Sequence, residues 1–331
     1  MSTTTKDIAR ICNVSRTTVN RAFSGKGRIS DETRQLVLNT AKELDYKPDL
    51  LATSLKKGKT HNIGVVVFDV KNQYFSQMLN AIELEAQKRD YNVNISLHEK
   101  NAHQERDMLS RMEGYRVEGI VLSPVSKNAQ FEAFLKSLKV PVVLVGNRIS
   151  SDIPYVGIDE KKAAIDAVAK IVSKGYKKIY FVCPPLADEN NENIYSHEQR
   201  RDGFIQGIKK CNVDGNIIGT WDYVKHVKEI MKKGNQHVAF FCSGDIYALE
   251  LMKELRLLHL KAGEDYGIMG FDNIDMLDYI IPRLVTIDNS VEDVASRAVE
   301  VLFDIIDVCC LCFFTQKCGR RRRRVEDYAD A

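Results

Sequence analysis

Arg16, Thr17 and Arg21 fall in one short segment at a spacing that puts them on the exposed side of a helix, with Val14 and Val19 facing the other way. An arginine guanidinium forks onto O6 and N7 of guanine, and a threonine can touch a thymine methyl or a base acceptor. Thr5, Ser15, Thr18 and Asn20 carry groups able to donate to phosphates, which fixes register rather than sequence. Elsewhere, Asp245 and Asp272 directly follow apolar runs, where a carboxylate can meet a small polar ligand. Trp221, the single tryptophan, has a flat face for a sugar or a base, or equally for a core. Asp245 also precedes a helical pattern, so N-capping is its other reading. Catalytic motifs are missing: the chain has no Gly-x-Ser-x-Gly elbow, no Walker loop and no Gly-x-Gly-x-x-Gly after a strand. The seven histidines show no i,i+3 or i,i+4 pair for a metal, so no enzyme, cofactor or metal site is expected.

The first group needs a small helical scaffold. Lys6–Ile11 reads as a helix, Asn13-Val14-Ser15 as a tight turn, and Ser15 as the N-cap of a second helix, Arg16–Phe23. Ser30 caps a third, with Leu36, Val37, Thr40, Ala41 and Leu44 at helical spacing, which runs to about Asp45 before Tyr46-Lys47-Pro48 stops it. Two short helices, a turn and a third helix describe a helix-turn-helix. Residues 1–60 hold 12 Lys and Arg against 6 Asp and Glu, whereas 61–319 hold 31 against 36. A basic head on a mildly acidic body fits a polyanion-binding module joined to one that does not bind polyanions.

From Ile63 the rhythm becomes strand–helix alternation. Strands are expected at Ile63–Phe68, Val93–Leu97, Gly119–Leu122, Val142–Val145, Tyr155–Ile158, Lys178–Val182, His237–Phe241 and Tyr266–Met269. Helices are expected at Phe75–Arg89, Glu105–Met112, Ala129–Leu138, Ala163–Ser173, Glu198–Lys210, Asp245–Leu258 and Val291–Ile306. All-apolar strands in such a series belong to parallel sheets covered on both faces, and two series imply two doubly wound subdomains with a ligand cleft at the strand carboxyl ends. With 331 residues and 44% hydrophobic content, the chain has ample material for these cores. No apolar run reaches the length of a membrane span, and the polar N-terminus has no signal-peptide core, so the expected compartment is the cytoplasm, at the nucleoid.

Asp7-Ile8-Ala9, Val14-Ser15-Arg16-Thr17-Thr18-Val19-Asn20-Arg21, Ile29-Ser30-Asp31-Glu32-Thr33-Arg34 and Tyr46-Lys47-Pro48 together resemble the head of the LacI/GalR family of bacterial transcriptional regulators. The resemblance continues through Asn72-Gln73-Tyr74-Phe75, Arg200-x-x-Gly203-Phe204, Ser243-Gly244-Asp245 and Gly270-Phe271-Asp272-Asn273. It implies a helix-turn-helix domain (1–47), a hinge helix (48–61) and a ligand-sensing and dimerisation domain (62–307) similar to periplasmic sugar-binding proteins. By the resemblance, Arg16, Thr17 and Arg21 read bases. Ala52-Thr53-Ser54-Leu55 stands for the family's hinge, with Leu55 the minor-groove wedge and Lys56 beside it. Asn20 stands where serine is usual, and Thr53 where arginine is. The positions matching the family's cleft are Tyr74, Phe75, Asn147, Arg200, Trp221, Asp245 and Asp272.

The expected function is that of a homodimeric repressor of a near-palindromic double-stranded operator, answering a small-molecule effector, a sugar before a purine. The rival is a cytosolic solute-binding protein whose head binds a protein partner. The tail, 308–331, departs from the family, in which a strand follows the last helix. Cys309, Cys310, Cys312 and Cys318 match no zinc framework, and Arg320–Arg324 reads as a solvated charge block. The segment is read as an out-of-frame or truncated end.

Overall fold

A computed structural model describes residues 3–25, 27–47, 59–186, 192–234 and 237–315, with side chains through Val308. The chain divides into two compact units, residues 1–60 and 61–331.

In the first unit, helices α1 (Thr5–Ile11), α2 (Arg16–Ser24) and α3 (Asp31–Glu43) enclose Ile8, Val19 and Val37, each fully buried. The caps explain the boundaries. Thr4 and Asp7 form a reciprocal capping box, with Thr4 N donating to Asp7 Oδ2 at 3.0 Å. This starts α1 one residue earlier than its apolar pattern suggests. Ser15 Oγ accepts Thr18 N at 3.1 Å and Ser30 Oγ accepts Thr33 N at 3.2 Å, as expected for N-caps. Asp45, at φ +44°, turns the chain out of α3.

The second unit holds two five-stranded sheets, all parallel among the described residues. The first contains β1 (Asn62–Val67), β2 (Asn92–Leu97), β3 (Ile120–Leu122), β4 (Val142–Val145) and β5 (Tyr155–Val156), in the order β2-β1-β3-β4-β5. Helices α4 (Gln73–Gln87), α5 (Ala102–Gly114) and α6 (Ala129–Ser137) alternate with them. The second contains β6 (Lys178–Cys183), β7 (Asp214–Gly219), β8 (Val238–Cys242), β9 (Gly267–Asp272) and β10 (Val285–Asp288), ordered β10-β9-β8-β6-β7. Its helices are α7 (Glu160–Ser173), α8 (Tyr195–Cys211), α9 (Tyr223–Lys232) and α10 (Asp245–Arg256). The last helix, α11 (Val291–Thr315), returns to the first subdomain, where Phe303 packs edge-on against Tyr91 at 4.6 Å. Both sheets obey the rule that ligands bind beyond strand carboxyl ends, because both point those ends at one cleft.

Four elements lie outside the expected series: β7, α9, β10 and a 3-10 turn over Asp275–Tyr279. Asp214-Gly215-Asn216-Ile217-Ile218-Gly219 has the composition of a turn, and it forms a strand because β6 supplies a complete parallel ladder beside it. Val285-Thr286-Ile287-Asp288 is short, follows Pro282 closely and forms the opposite edge. In α9, by contrast, Tyr223, Val224, Val227, Ile230 and Met231 recur at helical spacing, so its signal was local. Helix α11 also overruns its expected end at Ile306, because no glycine or proline interrupts Val308–Thr315. Residues 316–331, including Cys318 and Arg320–Arg324, lie outside the described residues, and so does the reading of a lost final strand.

Helices α7 and α8 approach closely at Gly203 and Gly207. A Cβ at Gly203 would stand 2.7 Å from Ala164 Cβ and also run into the Lys161 carbonyl. Gly203→Ala is therefore expected to cost about 1–3 kcal/mol through forced separation of the helices. Thermal unfolding should register a loss of about 2–4 °C per kcal/mol for a body of this size. An unchanged melting temperature would show that the two helices can part freely.

Candidate functional site

On the head, Arg16, Thr17, Asn20 and Arg21 are all exposed along α2, while Val19 and Ala22 are buried beneath them. Neither arginine has a carboxylate partner among the described residues, so both guanidinium groups keep their donors for another molecule. Gly27, at φ +96°, lets the Arg21 stem lie across the following loop. A Cβ there would stand 3.1 Å from Arg21 Cδ and Nε. Ser15 Oγ and Thr18 Oγ1 are hydrogen-bonded to each other at 2.9 Å, and Thr5 sits half-buried in the first turn of α1. Leu55 and Lys56 lie outside the described residues.

Between the two subdomains of the body is a cavity of about 460 Å³. Of the seven expected cleft residues, it brings together six: Tyr74, Phe75, Asn147, Arg200, Trp221 and Asp272. Asp245 is not on the wall. Its side chain is fully buried behind it, with Oδ2 accepting Ile274 N at 3.0 Å and Oδ1 accepting Thr286 Oγ1 at 2.5 Å. It does not cap α10 either, since Gly244 occupies that position and no side-chain cap bond forms. Asp245 instead ties the end of β8 to the loop after β9 and to β10, and a side chain at Gly270 would collide with it. Trp221 is 62% exposed at the rim, which removes the core reading of this residue.

Arg200 is the electrostatic centre. Its Nε and Nη2 donate to the Glu160 carboxylate at 2.7 and 3.2 Å, and Nη1 donates to the Ser243 carbonyl at 2.6 Å. Nη1 also lies 3.4 Å from Asp272 Oδ1, and the guanidinium carbon sits 3.6 Å from the Phe271 ring centroid. Burial opposes the Arg200 charge, but Glu160 and Asp272 more than offset it, so its pKa lies above the ordinary arginine value. Burial pushes Asp272 up to about 7 against the pull of Arg200. Burial, then Asp272 and Glu160, hold the Tyr74 hydroxyl well above its usual range, so the first subdomain presents it as a neutral donor.

Asn147 has another function than its type alone suggests. Its Nδ2 donates to the Asn193 carbonyl at 2.8 Å and its Oδ1 accepts Ser196 N at 3.1 Å, so it stitches β4 to the start of α8. Asn193 N in turn donates to the Val125 carbonyl at 2.6 Å. On the other side of the cleft, Gln77 Nε2 donates to Asp275 Oδ1 at 2.9 Å, and Met276 N to Gln73 Oε1 at 3.0 Å. These bonds bridge the two subdomains and hold this cleft closed.

Sequence reasoning passed over Asp69, Lys100, Ser123, His197, Ser243 and Tyr247, which also line the cavity. Asp69, Ser123 and Ser243 were within reach of it, because each follows an apolar strand closely, as Asp272 does. It also passed over Glu105. This fully buried residue accepts Val125 N at 2.8 Å and Ser126 N at 3.2 Å, fixing the loop on which Asn193 docks. Burial pushes Glu105 up to about 7 despite both bonds. At Glu105 and Asp272 the folded protein binds more protons than the unfolded chain between about pH 4 and 7, whereas the lowered imidazoles of His98 and His197 act in the opposite direction. Stability from the two carboxyls is present at acid pH and is lost as pH rises through 7. Glu105→Gln should remove the Glu105 contribution, so that between pH 5 and 7.5 the variant's melting temperature falls less, or rises more, than that of the parent protein. A slope identical to that of the parent protein would show that Glu105 is already ionised at pH 5.

Among the described residues, no group of His, Cys, Asp and Glu could hold a metal ion, and no helix is long and apolar enough to cross a membrane. Residues 4–49 match the family described as "Bacterial regulatory proteins, lacI family", and residues 63–307 match "Periplasmic binding protein domain". The chain is 30% identical over 321 residues to the HTH-type transcriptional regulator RegA of Clostridium acetobutylicum, covering 93% of each chain. It is 29% identical to catabolite control protein A of Priestia megaterium, over 91% of this chain and 92% of that one. The crystal structure of the lac repressor dimer bound to operator and the anti-inducer ONPF shares the fold, with a TM-score of 0.82 at 20% identity, covering 93% of this chain and 94% of that one. The helix-turn-helix head with its open arginine-bearing face, and the two-subdomain body around a cavity lined by aromatic and charged side chains, agree with relatives along nearly the whole chain: the chain belongs to the lacI family of DNA-binding transcriptional regulators.

Proposed function

We propose that this protein is a homodimeric repressor whose affinity for a near-palindromic operator is set by a small molecule held between the body's subdomains. Arg16, Thr17 and Arg21 read base edges in the major groove. Thr5, Ser15, Thr18 and Asn20 hold the phosphates, and Leu55 with Lys56 enters the minor groove. The effector, a sugar or sugar derivative, lies against Trp221 between Tyr74, Phe75, Arg200 and Asp272, with Asn147 and Asp245 supporting the wall. The protein acts in the cytoplasm at the nucleoid and catalyses no reaction. Ser123 and Ser243 leave their hydroxyls without a base partner among the described residues, which is not how an activated nucleophile is built.

One observation carries this reading: the cavity wall comes from both subdomains, and the Gln77–Asp275 and Asn147–Ser196 bonds form only when they meet. A ligand in that space favours one degree of closure, and differential affinity for two states is what shifts a conformational equilibrium. Gel-shift titration against fragments of the source genome tests it. Tight binding to a few fragments, weakening steeply with salt, is expected. Salt-insensitive or absent DNA binding would return the head to the role of a protein-docking domain.

A further inference from the structure

We propose that the effector carries an anionic phosphate monoester, received by Lys100, His197 and Ser123 at one side of the cavity. This rests on the cavity being the effector site and names the chemistry of that ligand. Three of the other charges on the wall, Arg200, Asp272 and Asp69, have partners of their own. Arg200 is spent on Glu160 and Asp272, and Asp69 accepts Lys71 N at 2.7 Å and Asn72 N at 3.0 Å. Glu192 is also on the wall, and no ion pair joins it to Lys100. Lys100 has no carboxylate within ion-pair distance among the described residues. Its ammonium instead lies 5.8 Å from the Trp221 ring centroid and 6.0 Å from that of Phe68. A cation held between two ring faces at a cavity rim keeps its donors free for a ligand.

Two further groups converge there. His197 Nδ1 and Ser123 Oγ are buried on the cavity wall with no hydrogen-bond partner. Buried polar atoms rarely go unpaired, and leaving one so costs about 1–3 kcal/mol unless a ligand or water meets it. Ser196, next to His197, donates to the Gly146 carbonyl at 2.7 Å, and a Cβ at Gly146 would stand 3.1 Å from Ser123 Oγ; Lys100 is tied to the same neighbourhood through Phe68, whose ring lies 4.8 Å from that of His98, itself 3.0 Å from the Ser123 carbonyl. Burial, then Arg200 and Lys100, push the His197 imidazole down to about 3. An oxyanion would offset Lys100 and could accept from the imidazole N–H, the lysine and the serine hydroxyl together.

Trp221 supplies the readout, since no other tryptophan contributes to the fluorescence. The full chain is titrated with inorganic phosphate, glucose 6-phosphate and glucose, using chloride at matched ionic strength as reference. Saturable changes with phosphate and glucose 6-phosphate are expected, at least tenfold tighter for the ester than for glucose. Lys100→Met should remove that tenfold preference while leaving the melting temperature unchanged, since Lys100 is exposed. Glucose binding as tightly as its phosphate, or a preference untouched by Lys100→Met, would overturn the anion site. A neutral sugar that saturates Trp221 and alters operator affinity, with phosphate inert, would overturn it while keeping the cavity as effector site. Phosphate saturating Trp221 without any compound altering operator affinity would uphold the anion site and overturn the effector role.

Discussion

Arg200→Ala is expected to destabilise the body by about 3–5 kcal/mol, the range for removing one partner from a buried ion pair and leaving the other charge uncompensated. Glu160 and Asp272 would then both be buried with no cation between them. Burial already raises Asp272 to about 7, and losing Arg200 favours its protonated form further, which fixes the sign of the pH dependence. A carboxyl with a raised folded-state pKa contributes stability at low pH that is lost as pH rises through that value. The variant's deficit should accordingly be smaller at pH 5 than at pH 8. Replacing Glu160 by leucine in the same chain should recover part of the loss, since an apolar substitute leaves fewer charges to satisfy. Denaturant unfolding at the two pH values measures all of this. A deficit below about 1 kcal/mol at pH 8 would mean that water reaches Glu160 and Asp272, contrary to the closed cleft described above.

The second large effect belongs to the head. Arg21→Ala should weaken operator binding by roughly 10- to 100-fold, equivalent to the about 1–3 kcal/mol attached to one bidentate arginine–guanine contact. Non-specific DNA binding should fall far less, because the phosphate contacts remain. Arg21→Lys should not restore the loss, since an ammonium lacks the planar fork. The head itself should stay folded: Arg21 is exposed, and the core residues Ile8, Val19 and Val37 do not depend on it. Equal losses on specific and random DNA would identify Arg21 as a phosphate contact instead.

How much of this was legible in the sequence depended on distance along the chain. The head is local chemistry. Ser15 and Ser30 cap the helices that follow them by accepting the N–H three residues on, and Val19 faces inward by helical period, so α1 to α3 could be read directly. In the body, apolar strands such as Val65–Val67 announced themselves, whereas β7 exists because of its neighbour β6 and not because of its own residues. The cavity shows the same division. Asp272 and Arg200 could be named from type and position. The exchange of roles between Asn147 and Asp245, one a stitch between subdomains and the other a tie behind the wall, is decided by partners 29 to 49 residues away. Lys100 and His197 carry no motif at all. They become a pair only when the loop after β2 meets the first turn of α8.

Effector control of such a repressor rests on one coupling: what fills the cavity must change how the head holds DNA. Linkage makes that coupling reciprocal. The most direct measurement follows Trp221 fluorescence while the tightest-binding compound from a panel of sugars, sugar phosphates and nucleosides is titrated with and without saturating operator. Its affinity should change between the two titrations by the same factor by which the compound changes operator affinity. An effector affinity indifferent to operator would contradict the account, for it would leave a DNA-binding head and a ligand-binding body with no communication between them.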